Sequence, residues 1–346
     1  MRRLGYAVLG LGIGMAHAAG AAESANAELV AACDLDEARL AKFGALYPDA
    51  VCYTDADALF ADPQVDIVSV CLPSAMHADF AVRAMEAGKH VLIEKPVDIT
   101  PERAELILAA QTRTGMTAGV VHQNRFNLNM YPIKAAVEQG RLGRLLLGTF
   151  AVKWYRQQAY YDCGGWRGTW AMDGGGSLMN QAVHTVDLMQ WLMGDVESVT
   201  STIGVMNHRI ETEDMTASII RFKSGAAATF VSTTCAYPGL STDIQLYGSA
   251  GSIEADADRI TLWKMAEDVD GSEEDAVLER YADGNRAAAK FAPDMLYGHR
   301  HVVEDMILAV RDGRAPEVMP EEAIKSVAIV NAVYRSACEG KTVYLT

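Results

Sequence analysis

The chain has 346 residues, half of them apolar, with 30 Lys and Arg against 45 Asp and Glu for a net charge of −15. That charge has the wrong sign for an electrostatic grip on nucleic-acid phosphates or on an anionic membrane surface. No apolar run reaches the roughly 20 residues of a membrane-spanning helix, and the length suggests two domains with apolar residues enough for a sizeable core. The cysteines, Cys33, Cys52, Cys71, Cys163, Cys235 and Cys338, show no C-x-x-C spacing. Reduced, buried thiols are the favoured reading, and no metal site is read from the spacing.

The opening stretch MRRLGYAVLGLGIGMAHAAGAA admits two readings. As a secretory signal cut after Ala18, it needs a continuous apolar helix; Gly5, Gly10, Gly12 and Gly14 make a poor one. As strand, tight turn and helix it begins a dinucleotide-binding unit, with Gly10, Gly12, Ile13 and Gly14 in the phosphate turn and the pyrophosphate at the helix start. The first residues are therefore expected to stay in the mature protein. An acid roughly 20 residues on, at the end of a second apolar strand, would hold the adenosine ribose, and Asp34 stands 24 residues after Gly10. Met15 occupies the place where a third Gly or Ala is usual, so helix and strand are expected to pack slightly further apart.

Apolar runs at Leu4–Leu9, Leu29–Cys33, Ile67–Cys71, His90–Ile93 and Thr117–Val121 alternate with helical stretches near Ala38–Leu46, Ala75–Ala87 and Pro101–Arg113. This grammar predicts a doubly wound parallel sheet over residues 1–122. From 123 to 346 it changes. A helix near Met130–Gln139, a strand over Leu145–Arg156, a Gly/Trp-rich loop and a helix from Gly176 to Met193 precede strands at Ser198–Met206, Met215–Phe222, Ala226–Thr234, Asp243–Tyr247 and Ile260–Trp263. Residues 264–290 read as a solvated acidic loop, and helices at Pro293–Arg311 and Pro320–Cys338 close the chain. The expected fold is α/β: an N-terminal Rossmann domain, then an α+β substrate-binding and oligomerisation domain with a large, mostly antiparallel sheet. The C-terminal helices are able to pack back on the first domain.

Open α/β sheets bind ligands beyond the carboxyl ends of their strands. Leu72, Pro73 and His77 follow one apolar run, Glu94 and Lys95 the next, and Gln123 and Arg125 the one after. In the second half, Asn180, His184, Asp187 and Trp191 fall on one stripe of a helix, opposite Leu178, Ala182, Val186, Met189 and Met193. Asn180 and Asp187 are spaced to orient the His184 ring. A further wall runs from Lys153 to Tyr161 and on to Trp166, where aromatics offer a surface to sugar C–H faces and Tyr155 and Arg156 offer polar partners.

Gly10-x-Gly12, Asp34, the run Ala87 to Pro96 and the run Gly174 to Asp187 together resemble the Gfo/Idh/MocA family, named from glucose-fructose oxidoreductase and inositol dehydrogenase. The resemblance covers nearly the whole chain. It implies NAD(P)-dependent oxidation or reduction of a secondary alcohol on a sugar or cyclitol. Lys95 and His184 are then the catalytic pair acting with Asn180, the Lys95–Pro96 bond is cis, and Trp166 and Arg167 lie near the nicotinamide. Two positions depart from the family pattern: Asn180, where many members have Asp, and Ser74, where Asn often follows Pro73.

Oxidising a carbinol needs a base and a group that stabilises alkoxide charge. His184 is assigned as base and Lys95 as cation, the reverse assignment staying open. Lys95, Arg125, Tyr155, Arg156, Asn180 and His184 form the expected substrate set. Asp34 followed by Asp36 favours NAD over NADP, because a 2′-phosphate meets two carboxylates with only Arg39 to compensate. The rival readings are an NAD-dependent glycoside hydrolase working by transient oxidation and a non-catalytic NAD-binding regulator. A cytoplasmic homo-oligomer with a small-molecule substrate, joined through the antiparallel sheet, completes the expectation.

Overall fold

The computed structural model describes residues 2–256, 258–284 and 297–345. Its first sheet holds six parallel strands: β1 (Leu4–Leu9), β2 (Ala27–Cys33), β3 (Val51–Tyr53), β4 (Ile67–Val70), β5 (His90–Ile93) and β6 (Ala118–Val120). Their order is β3-β2-β1-β4-β5-β6, so the direction of winding reverses between β1 and β4. β3 is not among the apolar runs read from the sequence. It is a short edge strand whose Val51 and Cys52 are exposed, so it carries no core pattern.

Five helices, α1 (Gly14–Glu23), α2 (Glu37–Leu46), α3 (Ala56–Ala61), α4 (His77–Glu86) and α5 (Pro101–Thr114), make or flank the crossovers. Asp36 caps α2, and Thr100 with Pro101 starts α5 as its sequence predicts. The helix expected from Ala75 divides into a 3₁₀ turn over Ser74–Met76 and then α4. α1 packs on the helix Gly298–Asp312 through Gly20, where a Cβ would lie 3.3 Å from Val303. The predicted start of that late helix, Pro293, lies outside the described residues.

The chain divides into two compact units. One runs from the N-terminus to Gln123 and takes in a later segment that ends at Ile324; the other begins at Asn124 and resumes at Lys325. The second unit contains β7 (Leu145–Lys153), β8 (Val196–Gly204), β9 (Met215–Phe222), β10 (Ala227–Thr233), β11 (Thr242–Gly248), β12 (Gly251–Asp256), β13 (Arg259–Met265) and β14 (Val343–Tyr344). They form one sheet in the order β13-β12-β11-β7-β10-β9-β8-β14. Only β7 and β10 pair in parallel; the other neighbours are antiparallel. Period-two alternation buries Thr216, Ser218, Ile220 and Phe222 on one face of β9 and leaves Ile219 on the other, 59% exposed.

Helices α6 (Met130–Glu138), α7 (Gln158–Asp162), α8 (Val183–Met193) and α9 (Ser272–Tyr281) belong to this unit. The acidic stretch expected to be a loop therefore holds the end of β13 and the whole of α9. α9 has no buried residue, so no apolar period marks it. Glu273, Glu274 and Asp275 sit in its first turn, where carboxylates favour a helix start. Of the cysteines, all free, Cys33 and Cys71 are buried but Cys52, Cys163 and Cys338 are exposed.

Candidate active site

In the first unit the turn after β1 leaves little room for side chains. A Cβ on Gly10, whose φ is +93°, would lie 2.3 Å from the Cys71 carbonyl oxygen; one on Gly14 would lie 2.6 Å from Val8 Cγ1. Gly14 thus does the close-packing work of the third glycine, and Met15 does not hold helix and strand apart. The turn is one residue shorter than the usual G-x-G-x-x-G spacing. A Cβ on Gly12 would meet nothing nearer than Arg39 Nη1 at 4.0 Å, so the ligand side of the turn is open. Exposed Ile13 stands at the start of α1.

Asp34 follows β2 on the same edge of the sheet. Its carboxylate accepts the Leu11 N–H at 2.7 Å and the Asp36 N–H at 2.9 Å, tying it to the turn. Arg39 lies 3.6 Å from Asp34 and 3.3 Å from Asp36, so one cation is shared by two acids.

Lys95 directly follows β5 and Glu94, and its bond to Pro96 is cis. The Glu94 carboxylate accepts the Lys95 backbone N–H at 3.0 Å through one oxygen and contacts His17 Nε2 at 3.0 Å through the other. His17 Nδ1 lies 2.9 Å from Ser69 Oγ, which lies 2.5 Å from the Tyr6 hydroxyl. His299 approaches Glu94 at 3.5 Å. Burial pushes Glu94 up, but hydrogen bonds from His17 and His299 and the charges of His17 and Lys95 outweigh it. The carboxyl is held well below its usual range. His77 is buried with its ring nitrogens on the carbonyls of Pro96 and Leu72. Leu72 and Pro73 line the way out of β4, and Gln123 opens a 3₁₀ turn beyond β6.

In the second unit, one π-helical turn, Ser177–Ala182, leads into α8. Two buried residues that no local pattern announces dictate this start. A Cβ on Gly176 would lie 1.9 Å from the Glu213 carbonyl oxygen, and one on Gly175 would lie 2.0 Å from the Tyr334 hydroxyl. The Glu213 carboxylate accepts the N–H groups of Gly176 at 2.8 Å and Leu178 at 2.7 Å. Burial, partly offset by those bonds, pushes Glu213 up to about 7.

Of the expected polar stripe, His184 and Asp187 are buried while Asn180 and Trp191 are half-buried, and Thr185 and Gln190 are buried beside them. Asp187 is held by Arg125 in a bidentate pair, Nε to Oδ2 at 2.7 Å and Nη2 to Oδ1 at 2.6 Å. The guanidinium expected to meet substrate is therefore occupied by a protein carboxylate. Asn180 donates to Asp173 at 2.5 Å and accepts from Tyr160 at 3.2 Å and Gln181 at 2.5 Å, so its amide is set by the neighbouring loop.

That loop brings the aromatic and basic residues together. Arg156 donates to Gln181 and lies over Trp154 and Tyr160, at 5.2 and 5.3 Å from the ring centroids. Arg167 lies over Tyr160 at 4.7 Å and Trp166 at 4.9 Å. Tyr155 meets Tyr237 edge to face.

Among the described residues two groups of potential metal ligands assemble, His17 with Glu94 and His299, and His208 and Asp214 with the more distant Cys235. Spacing could not reveal the first. In the second group, one Asp214 oxygen already accepts Asn207 N, His208 N and His208 Nδ1.

Residues 4–122 match the model of the oxidoreductase family's NAD-binding Rossmann fold, and residues 134–345 match the family's C-terminal alpha/beta domain. The chain is 25% identical over 348 residues to the inositol 2-dehydrogenase of Rhizobium meliloti (strain 1021), covering 98% of each. It is 33% identical over 207 residues to the 1-carboxy-3-chloro-3,4-dihydroxycyclohexa-1,5-diene dehydrogenase of Comamonas testosteroni, 58% of this chain and half of that relative. Among solved structures it is similar to the WlbA dehydrogenase of Bordetella pertussis in complex with NADH and UDP-GlcNAcA, with a TM-score of 0.89 and 32% identity over 100% of this chain and 99% of that one. The glycine turn, the EKP stretch behind β5 and both matched domains make this chain a member of the Gfo/Idh/MocA oxidoreductase family.

Proposed function

We propose that the chain is an NAD-dependent dehydrogenase acting on a secondary hydroxyl of a sugar, sugar derivative or cyclitol. The observation that carries this reading is the position of Lys95 at the carboxyl end of β5, on the same sheet edge as the open Gly10–Gly12 turn and Asp34. The sugar and cyclitol substrates named for its relatives support the substrate class.

The turn fits a dinucleotide: Gly10 and Gly14 permit close packing, and Gly12 leaves the outer side open. Bound NAD supplies the hydride acceptor. Asp34 binds the ribose hydroxyls, and NAD is favoured over NADP because Arg39 is already shared between Asp34 and Asp36. Leu72, Pro73, Glu94, Gln123, Trp166 and Arg167 complete the cofactor environment in this proposal. Lys95 stabilises negative charge as the hydroxyl loses its proton, and His184 takes that proton. Tyr155, Arg156 and Asn180 orient the substrate. Arg125 is reassigned to holding Asp187 in place.

We place the enzyme in the cytoplasm, where its free cysteines stay reduced, and as a homo-oligomer joined through the second sheet. No helix among the described residues is long and apolar enough to cross a membrane.

The test is to give purified protein NAD with a panel of sugars, sugar acids, cyclitols and glycosides while recording NADH absorbance and released aglycone. NADH formed in step with substrate is expected. Aglycone release without net NADH would replace the dehydrogenase with a hydrolase, and silence across the panel with tight NAD binding would favour a regulator.

A further inference from the structure

We propose that His77 is a cationic positioning residue for Lys95, a buried imidazolium whose two N–H groups fasten the Lys95–Pro96 segment to the loop that leaves β4. The inference rests on the reading of Lys95 as a catalytic group.

His77 is 1% exposed. Its Nδ1 lies 2.7 Å from the Pro96 carbonyl oxygen and its Nε2 lies 2.8 Å from the Leu72 carbonyl oxygen. Both are ordinary hydrogen-bond lengths. A carbonyl oxygen only accepts, and a neutral imidazole carries one N–H and one bare lone pair. With acceptors at both nitrogens, a neutral ring would press a lone pair against a carbonyl oxygen in a site closed to water. A doubly protonated ring satisfies both.

A buried carboxylate braces the start of α4 beside the ring. Asp98 is fully buried and accepts the N–H of Ala78, the next residue, at 2.9 Å. Its other oxygen takes the Ile99 N–H and Arg103 Nε at 2.7 and 2.8 Å. Arg103 also reaches Asp79. The start of α4, where His77 sits, works against a cation. The two carbonyl dipoles work for it, whereas the charge of Asp98 is already paired with Arg103.

The consequence falls on Lys95. Its backbone N–H is held from one side by Glu94, and the carbonyl of the following residue is held from the other by His77. The same imidazole grips Leu72, so the exits of β4 and β5 share one strap. A lysine on a four-carbon stem gains directional precision only if its backbone is fixed.

Two measurements test this. In the wild-type holoenzyme, nitrogen-15 spectra of the His77 ring near neutral pH should show both nitrogens protonated; a neutral ring overturns the proposal. In kinetics at saturating NAD, His77→Ala should lower turnover by about tenfold or more, and the loss should largely vanish when His77→Ala is added to Lys95→Ala. The same loss in both backgrounds also overturns it. If Lys95→Ala itself keeps wild-type turnover, the catalytic reading of Lys95 falls, while the ring spectrum still reports on the strap.

Discussion

Arg125 and Asp187 form a bidentate ion pair, both side chains at least 96% buried, in which two parallel N–H···O bonds of 2.7 and 2.6 Å join the turn after β6 to the middle of α8. Trp191, one turn further along α8, lies under the same guanidinium. Removing either partner strands a charge away from water. Arg125→Leu or Asp187→Leu should therefore cost about 3–5 kcal/mol of stability, and the double replacement should cost much less than their sum. Urea titration of the four proteins measures this, and additive losses would show that the pair does not act as a unit.

Lys95→Ala and His184→Ala should each leave NAD affinity within a few fold and lower turnover by roughly a hundredfold or more, the scale of a lost acid–base or charge-stabilising group. His184→Ala should also flatten the acid limb of the turnover profile, because a base must be deprotonated to work. Asn180→Ala should be milder and appear partly in substrate affinity, since its amide is one member of a network with Asp173, Tyr160 and Gln181. Steady-state kinetics with an identified substrate decide the matter; near-wild-type turnover of either Lys95→Ala or His184→Ala removes that residue from the mechanism.

Asp34→Ala should weaken NAD more than NADP and narrow the preference between them, because it removes a ribose acceptor and frees Arg39 from one of its two acids. Dissociation constants for both cofactors measured on both proteins give the ratio. Wild-type protein that binds the two equally well contradicts the argument.

Glu213 gives a pH dependence of definite sign. Burial raises its carboxyl from an ordinary 4.5 to about 7, so the folded state favours the protonated form. The stability this group contributes is fully present below its unfolded value and is lost as pH rises through about 7. At about 1.4 kcal/mol per unit, the loss is of the order of 3 kcal/mol. Glu213→Gln should remove the titration while keeping one acceptor oxygen where the carboxylate has two, one for Gly176 N–H and one for Leu178 N–H. The difference in thermal midpoint between wild type and variant, followed from about pH 5 to about pH 8, should shift in favour of the variant as pH rises. A constant difference counts against the assignment.

The outer face of the second sheet presents Leu147, Ile219 and Val231 to solvent on the adjacent strands β7, β9 and β10. An apolar sheet face of this kind calls for cover. Ile219→Glu should break a homo-oligomer into particles of the monomer mass, 37.4 kDa, in light scattering. Wild-type protein that is monomeric at micromolar concentration contradicts it directly.

By itself the sequence determined the parallel sheet, most strands of the second sheet, the glycine turn with Asp34, and the placing of Lys95 behind β5. Each is written in a local period or a short spacing: a strand's apolar run, a helix cap such as Thr100-Pro101, a turn that only glycine can make. Tertiary structure alone decided the rest. It showed that Gly14 replaces the missing third glycine, that Glu213 and Tyr334 shape the entry to α8, that Arg125 is spent on Asp187, and that His17, Glu94 and His299 converge behind Lys95. It also revealed α9, whose exposed, acidic surface carries no apolar period. The physical reason is common to all of these: they depend on which side chains the closed fold brings within a few ångströms across long separations in sequence, and no local pattern of residue types encodes that proximity.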